Sequence, residues 1–359
     1  MSTGYTNIKL NGINYNKNQL QKITEGLTYN SAERNFHLQV LGFIQEWLND
    51  SEFIYANTSG STGNPKSIRL KKESMINSAE LTGRFLNLNS TVRAMLCLPV
   101  EYIAGKMMIV RAFVCGYDLA LVKPGANPIG ESDNKTDFVA LIPYQLYHSL
   151  ESLKRKPAMK IIVGGGEIPF VLEEKIKTLR HDIFATYGMT ETCSHVALRK
   201  INGKDRTEIY TALEGITFEQ DERECLVINA PMLADQKVIT NDVVSLMDKT
   251  RFKWLGRFDN VINSGGIKIF PETIENKIAG LIEHEYFIGA VADTQLTHRS
   301  VLVLRQKRLS EQEKDKIVQK LEKVLSKYEM PKEIHCMAKF VYSPNGKLLR
   351  KQTMDKLKG

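Results

Sequence analysis

The ten residues Asn57-Thr58-Ser59-Gly60-Ser61-Thr62-Gly63-Asn64-Pro65-Lys66 hold four hydroxyls, two glycines and a lysine. Glycines let backbone N–H groups close around an anion, hydroxyls add donors, and the lysine adds a mobile positive charge. The stretch therefore has the chemistry of a phosphate holder. Its spacing is not that of the P-loop, G-x-x-x-x-G-K-S/T, because two residues, one of them Pro65, separate Gly63 from Lys66. Composition alone leaves a plain polar turn as the other reading.

Other chemistry-bearing residues recur downstream. Ile161-Ile162-Val163 runs into Gly164-Gly165-Gly166, which either forms a tight turn or leaves flat backbone against which a planar base can lie. Tyr187-Gly188 offers an aromatic face beside a glycine. Thr190 and Glu191 follow, able to reach a phosphate and a hard divalent cation through oxygen, or else to cap a helix start. Asp242 is a candidate acceptor for ribose hydroxyls or a turn residue. Trp254 to Glu275 is the longest patterned run, and Ser343 to Arg350 reads as a turn presenting Lys347, which in isolation is an ordinary surface lysine.

The elements needed to position these loops are legible in outline. Phe53 to Ala56 leads into the first loop, and Ile68 and Leu70 alternate with charged residues beyond it, a strand–loop–strand pattern. Helices are expected over 16–23, 32–48, 72–88 and 103–115, and strands over 92–98, 119–122, 138–142, 160–163 and 182–187. That alternation predicts α/β layers. Short runs from about 208 to 255 predict a small β-rich subdomain. A separate α+β unit follows, so the expected organisation is an N-terminal domain over 1–257 and a C-terminal domain over 258–359. In the latter, Ser310 and Glu313 match a capping box, and Ile317, Leu321, Val324, Leu325 and Tyr328 are expected on one helix face.

Composition excludes several classes. With 359 residues, 42% hydrophobic and 25% charged, the chain reads as a soluble globular protein of two or three domains. No run is long and apolar enough to read as a membrane span or signal peptide, so the expectation is cytoplasmic. The five cysteines form no C-x-x-C pair, which argues against disulfides and structural zinc. Net charge is +8, and from Arg299 onward 16 basic residues face 7 acidic ones, so the basicity sits at the C-terminal end. That segment lacks interleaved aromatics and nucleic-acid motifs, so a polyanionic small molecule or solvent suits it better than nucleic acid.

Thr58 to Lys66, Tyr187 to Thr192, Asn241-Asp242, Gly256 to Glu275 and Gly346-Lys347 together resemble, in order, the motifs of the acyl-adenylate-forming ligases. The resemblance covers about residue 50 to the end. Tyr187 to Ser194 and Asn263 to Gly266 are most similar to the o-succinylbenzoate-CoA ligases of menaquinone biosynthesis. The resemblance implies an acid–thiol ligase that uses ATP, Mg²⁺ and CoA, with ATP and the acyl group bound by the domain over 1–257 and a mobile C-terminal domain over 258–359. Thr58, Ser59, Gly60, Ser61, Thr62, Gly63 and Lys66 would then contact the ATP phosphates. Gly164, Gly165, Gly166, Tyr187 and Gly188 would enclose adenine. Thr190 and Glu191 would serve the α-phosphate and Mg²⁺, and Asp242 and Arg257 the ribose. Asp259 would be the hinge, Ser264, Gly265, Gly266 and Lys268 the loop on the CoA side, and Lys347 the catalytic lysine of adenylation.

Departures from the pattern are Ser67 in place of a glycine, the absence of a histidine in Leu98 to Gly105, and an N-terminal lobe short by the family's standard. o-Succinylbenzoate carries two carboxylates, and the one that does not react needs a cation. Lys106, Arg84 and Arg111 are the candidates, with Lys106 ranked first because it follows Gly105 in an apolar stretch. Ligases for other acyl or aryl acids, enzymes that load a carrier protein, and a nucleotide-binding protein without catalysis remain open alternatives. The sequence does not set the oligomeric state.

Overall fold

A computed structural model describes residues 4–22, 31–57, 67–132, 135–342 and 348–357. Strands β1 (Ile8–Leu10) and β2 (Ile13–Tyr15) and helices α1 (Lys17–Lys22) and α2 (Ser31–Leu48) precede β3 (Phe53–Asn57) and β4 (Ser67–Lys71). Strands and helices then alternate: α3 (Lys72–Leu86), β5 (Arg93–Leu96), α4 (Ile103–Cys115), β6 (Asp118–Leu121), β7 (Phe138–Leu141), α5 (Pro143–His148), α6 (Leu150–Arg155), β8 (Lys160–Val163), α7 (Phe170–Ile176) and β9 (Asp182–Gly188). Six strands follow, β10 (His195–Lys200), β11 (Ile209–Ala212), β12 (Thr217–Gln220), β13 (Cys225–Asn229), β14 (Val238–Asp248) and β15 (Arg251–Arg257). The last stretch holds β16 (Ile262–Ser264), β17 (Ile267–Ile269), α8 (Pro271–Ile278), β18 (Tyr286–Asp293), β19 (Thr297–Leu304), α9 (Glu311–Glu322), β20 (Glu333–Cys336) and α10 (Arg350–Leu357).

Among the described residues, β1, β2 and β5 to β15 form one sheet of thirteen strands in the order β12-β13-β14-β15-β11-β10-β9-β8-β7-β5-β6-β1-β2. Its centre, from β9 through β8, β7, β5 and β6 to β1, is parallel. The strands from β10 to β12 extend it antiparallel. The central strands are almost wholly apolar because helices cover both faces, leaving neither side for solvent. Alternate residues feed two cores. Ala94, Leu96, Phe138, Ala140 and Ile162 pack with Trp47, Met107 and Phe113 on one face. Met95, Val139, Leu141, Ile161 and Val163 pack with Leu146, Leu153 and Leu172 on the other. This is the α/β class that the alternation of strand and helix predicts.

A second sheet starts at β16 and runs β17-β16-β19-β18, with β20 parallel to β19. It has cores of its own, one around Ile274, Leu302 and Leu321 and one around Phe287, Val303 and Met354. The chain passes from one sheet to the other through a 3₁₀ turn, Phe258–Asn260. The expected capping box forms: Ser310 Oγ accepts from the Glu313 N–H and Glu313 accepts from the Ser310 N–H at 2.8 Å. The helix it opens is shorter than its periodicity suggests. Ser326 and Glu329 pair locally at 2.9 Å beyond its end, leaving Val324 and Tyr328 exposed while Leu321 and Leu325 are buried. Helix α8 ends at Ile278, where Ala279 turns extended at φ −60° and ψ 132°.

Candidate active site

The proposed phosphate residues Thr58, Ser59, Gly60, Ser61, Thr62, Gly63 and Lys66 lie outside the described residues. Their flanks do not. β3 and β4 pair antiparallel from Phe53↔Lys71 to Asn57↔Ser67, so the loop joins two residues already held in register. Ser67, where the family resemblance calls for glycine, is the first residue of β4 and pairs with Asn57. Lys347 is also outside the described residues. Tyr342 and Leu348 bridge on either side of it, and the Leu349 N–H donates to Val341 O at 2.8 Å.

Gly164, Gly165 and Gly166 follow β8, and Tyr187 and Gly188 end β9, its parallel neighbour. Both loops therefore emerge beyond the carboxyl ends of adjacent parallel strands, where open α/β sheets bind ligands. Two of these glycines are dictated by close approach. A Cβ at Gly164 would lie 2.4 Å from Thr186 Oγ1, and one at Gly188 would lie 2.4 Å from both His195 Cα and Ser194 O.

The Tyr187 hydroxyl donates to Asp242 Oδ2 at 2.7 Å, and its ring packs against Phe252 and Tyr210. Asp242 also accepts from Trp254 Nε1 at 3.3 Å and lies 3.5 Å from Arg257 Nη1. It belongs to the interior of β14, not to a turn before a strand as its neighbours suggest, and it pairs across the ladder with Arg257. A buried carboxylate thus ties the aromatic of one loop to the cation that ends β15. Trp254 is a member of this cluster that the sequence reading did not assign.

Thr190 and Glu191 form a 3₁₀ turn with Thr192, in which Met189 rather than Thr190 is the capping position. Thr192 is fully buried and holds the turn shut. Its Oγ1 accepts from the Met189 N–H at 3.2 Å and lies 2.8 Å from Ser194 O. Cys193 takes φ +61° and ψ −38°, a tight-turn conformation uncommon for a non-glycine residue, with the Ser194 N–H donating to Thr192 O at 2.6 Å. Glu191 remains exposed. Among the described residues no group of three or more His, Cys, Asp or Glu could hold a metal. A lone carboxylate fits Mg²⁺, which binds through one or two carboxylates with phosphate oxygens and water.

On the other side, Asp259 is exposed and its carboxylate accepts from Asn241 Nδ2. Ser264 and Lys268 belong to the hairpin of β16 and β17. Gly265 and Gly266, at φ +57° and +83°, make its two-residue turn, and such turns require two left-handed residues. Lys268 Nζ sits 2.8 Å from Glu224 on the large sheet, and Asn276 Nδ2 donates to Glu167 at 3.1 Å. A cavity of about 300 Å³ lies here, lined by Arg223, Val243, Phe258, Asp259, Val261, Asn263 and Lys268.

The structure reorders the three cations considered for a substrate carboxylate. Lys106 is committed elsewhere: its ammonium is 3.2 Å from Glu46 on α2 and 4.6 Å from the centre of the Phe43 ring. Arg84 is half-exposed and paired with Glu80 and Glu214. Arg111 is 2% exposed and has no carboxylate partner among the described residues. Its Nη2 donates to Ser194 Oγ at 2.6 Å, while its Nε finds no acceptor. Burial lowers its pKa from the ordinary guanidinium value. Arg111 is thus a buried cation beside the Thr190–Thr192 turn with donors to spare.

Residues 27–217 match the sequence profile described as AMP-binding enzyme. The chain is 27% identical over 246 residues to a 2-succinylbenzoate–CoA ligase of Haemophilus influenzae, covering 62% of this chain and 52% of that protein. It is 27% identical over 320 residues to the enzyme of the same name from Lactococcus lactis, covering 83% and 70%. The chain thus spans about half to 70% of the length of these relatives. Among solved structures, an acyl-CoA synthetase (AMP-forming)/AMP-acid ligase II-like protein of Dyadobacter fermentans is 34% identical. That match covers 95% of this chain and 98% of the other, at a TM-score of 0.61. An o-succinylbenzoate coenzyme A synthetase of Bacillus subtilis, solved with ATP and magnesium, shares the fold at a TM-score of 0.69. It is 21% identical and covers 84% of this chain and 69% of that one.

Proposed function

Because the chain belongs to the AMP-binding enzyme family, we propose that it activates a carboxylic acid as acyl-AMP and passes the acyl group to CoA, with o-succinylbenzoate as the acid. The acid's carboxylate oxygen attacks the α-phosphorus of ATP and pyrophosphate leaves. The CoA thiolate then attacks the acyl carbon and AMP leaves. Negative charge builds on the α-phosphate in the first step, so preorganised cations and donors lower that barrier.

Thr58 to Lys66 hold the β- and γ-phosphates, and Thr190 donates to the α-phosphate. Glu191 would hold Mg²⁺, which would supply neutralising charge to the phosphates. Asp242 and Arg257 take the ribose, Gly164 to Gly166 with Tyr187 and Gly188 the adenine, and Lys347 the reacting centre. The C-terminal unit, 258–359, turns at Asp259 between the two steps, exchanging Lys347 for the Ser264 to Lys268 hairpin. The Lys268–Glu224 and Asn276–Glu167 contacts are each single surface contacts, worth about 0–1 kcal/mol for the ion pair, which suits a docking that must be undone.

The observation that carries the choice of acid is Arg111. A buried guanidinium with spare donors and, among the described residues, no carboxylate partner suits a substrate that brings a second carboxylate. Steady-state kinetics with o-succinylbenzoate and with benzoate test this. Replacement of Arg111 by methionine should raise KM for o-succinylbenzoate by about 10- to 100-fold, the worth of a charge-assisted hydrogen bond. KM for benzoate should change much less. An equal change for both acids would remove the second-carboxylate reading, and a wild-type preference for benzoate would remove o-succinylbenzoate.

A further inference from the structure

The residue immediately after Ser194 is a histidine, and it does not face solvent. His195 is 6% exposed, Arg111 2% and Thr82 0%. Ser194 Oγ lies 3.3 Å from His195 Nδ1, and His195 Nε2 lies 3.2 Å from Thr82 Oγ1. Thr82 Oγ1 in turn donates to Ser78 O at 3.0 Å. The polar atoms form a continuous line from α4 through the turn after Glu191 to α3.

The direction of each bond follows from what each group can give. A guanidinium has no acceptor, so at 2.6 Å Ser194 Oγ must accept from Arg111 Nη2. The serine's own proton then needs an acceptor, and His195 Nδ1 is the nearest. Nδ1 must therefore be bare, and a neutral ring carries its proton on Nε2. That proton meets Thr82 Oγ1, whose own hydrogen is spent on Ser78 O. Burial, with the positive charge of Arg111 in addition, holds the His195 pKa well below the ordinary imidazole value, so the ring stays neutral. Arg111 is the charged group facing it.

We propose that His195, through Ser194, is the positioning residue that fixes the Arg111 guanidinium for a substrate carboxylate. The part that concerns substrate rests on the functional reading above; the part that concerns the line of hydrogen bonds does not. A long arginine side chain loses rotamer entropy when fixed, and a site that holds it beforehand spares binding that cost. Gly188 fits the same picture, since any side chain there would press on the backbone of Ser194 and His195.

Two measurements test it. The first is nitrogen-15 NMR of the full chain, reading the His195 ring and the Arg111 guanidinium. Wild type should show the Nε2–H tautomer and a slowly exchanging Arg111 signal. H195F and S194A should lose that signal, and H195N, whose side-chain oxygen can take the place of Nδ1, should keep it. An Arg111 signal unchanged in H195F, or an Nδ1–H tautomer in wild type, would overturn the proposal. The second is kinetic. In H195F and S194A the ratio of KM for o-succinylbenzoate to KM for benzoate should rise at least about tenfold. The double variant should be no worse than either single one, and H195N should recover most of the loss. Equal rises in KM for both acids and for ATP would reduce His195 to a packing role. If R111M itself leaves the diacid KM unmoved, the substrate reading fails, and the NMR result alone decides whether His195 holds Arg111.

Discussion

Replacing Lys347 with alanine should slow acyl-adenylate formation by about 10²- to 10³-fold, or roughly 3–4 kcal/mol, the usual worth of one preorganised electrostatic contact in a transition state. Thiolysis of supplied acyl-AMP by CoA should fall by far less. The reason is chemical. Attack on ATP concentrates negative charge at the α-phosphate, whereas attack by CoA on the acyl carbon releases AMP and needs no cation at that point. Residues close to Lys347 belong to the C-terminal unit: Leu348 bridges to Tyr342, and Arg350 makes a paired contact with Glu275, its Nη2 2.7 Å from Oε2. The substitution removes none of these contacts, so thermal stability should stay near wild type. Rapid-quench measurement of each half-reaction checks the asymmetry, and equal losses in both would defeat the assignment of Lys347 to the first step alone.

Asp242→Ala is expected to act on both stability and nucleotide binding. It strips the acceptor from the Tyr187 hydroxyl and from Trp254 Nε1, and leaves Arg257 without its nearest carboxylate. An orphaned polar group in a buried setting costs about 1–3 kcal/mol, so two of them place the loss on the order of 2–6 kcal/mol. Urea titration of the large unit measures it. Nucleotide affinity should fall as well, because the ribose acceptor and the anchor of the Tyr187 ring are the same carboxylate. Asp242→Asn keeps one acceptor oxygen and should lose less stability. A stable Asp242→Ala protein with unchanged ATP affinity would separate Asp242 from the nucleotide site.

Local signals carried most of the fold. The apolar runs of β5, β7 and β8 are readable because both faces are buried. The capping pair Ser310 and Glu313 is readable because its partners are three residues apart. What was not legible depends on partners remote in sequence. Lys106 and Arg111 sit five residues apart on one helix, which turns them about 140° from each other. Only the packing of α2 against α4 decides that Lys106 meets Glu46 while Arg111 meets Ser194. Asp242 reads as a turn residue until β14 pairs with β15 and brings Trp254 and Arg257 to it. The Ser194–His195–Thr82 line joins residues more than a hundred positions apart, and no periodicity marks it.

The proposed function requires that this chain make an acyl adenylate. Isotope exchange between pyrophosphate and ATP, run with the purified chain, Mg²⁺ and one carboxylic acid at a time, measures that directly. Exchange should depend on added acid and be driven best by o-succinylbenzoate, with a CoA thioester and AMP appearing once CoA is supplied. Exchange driven by no acid in the panel, with ATP still bound, would contradict it and leave a nucleotide-binding protein in its place.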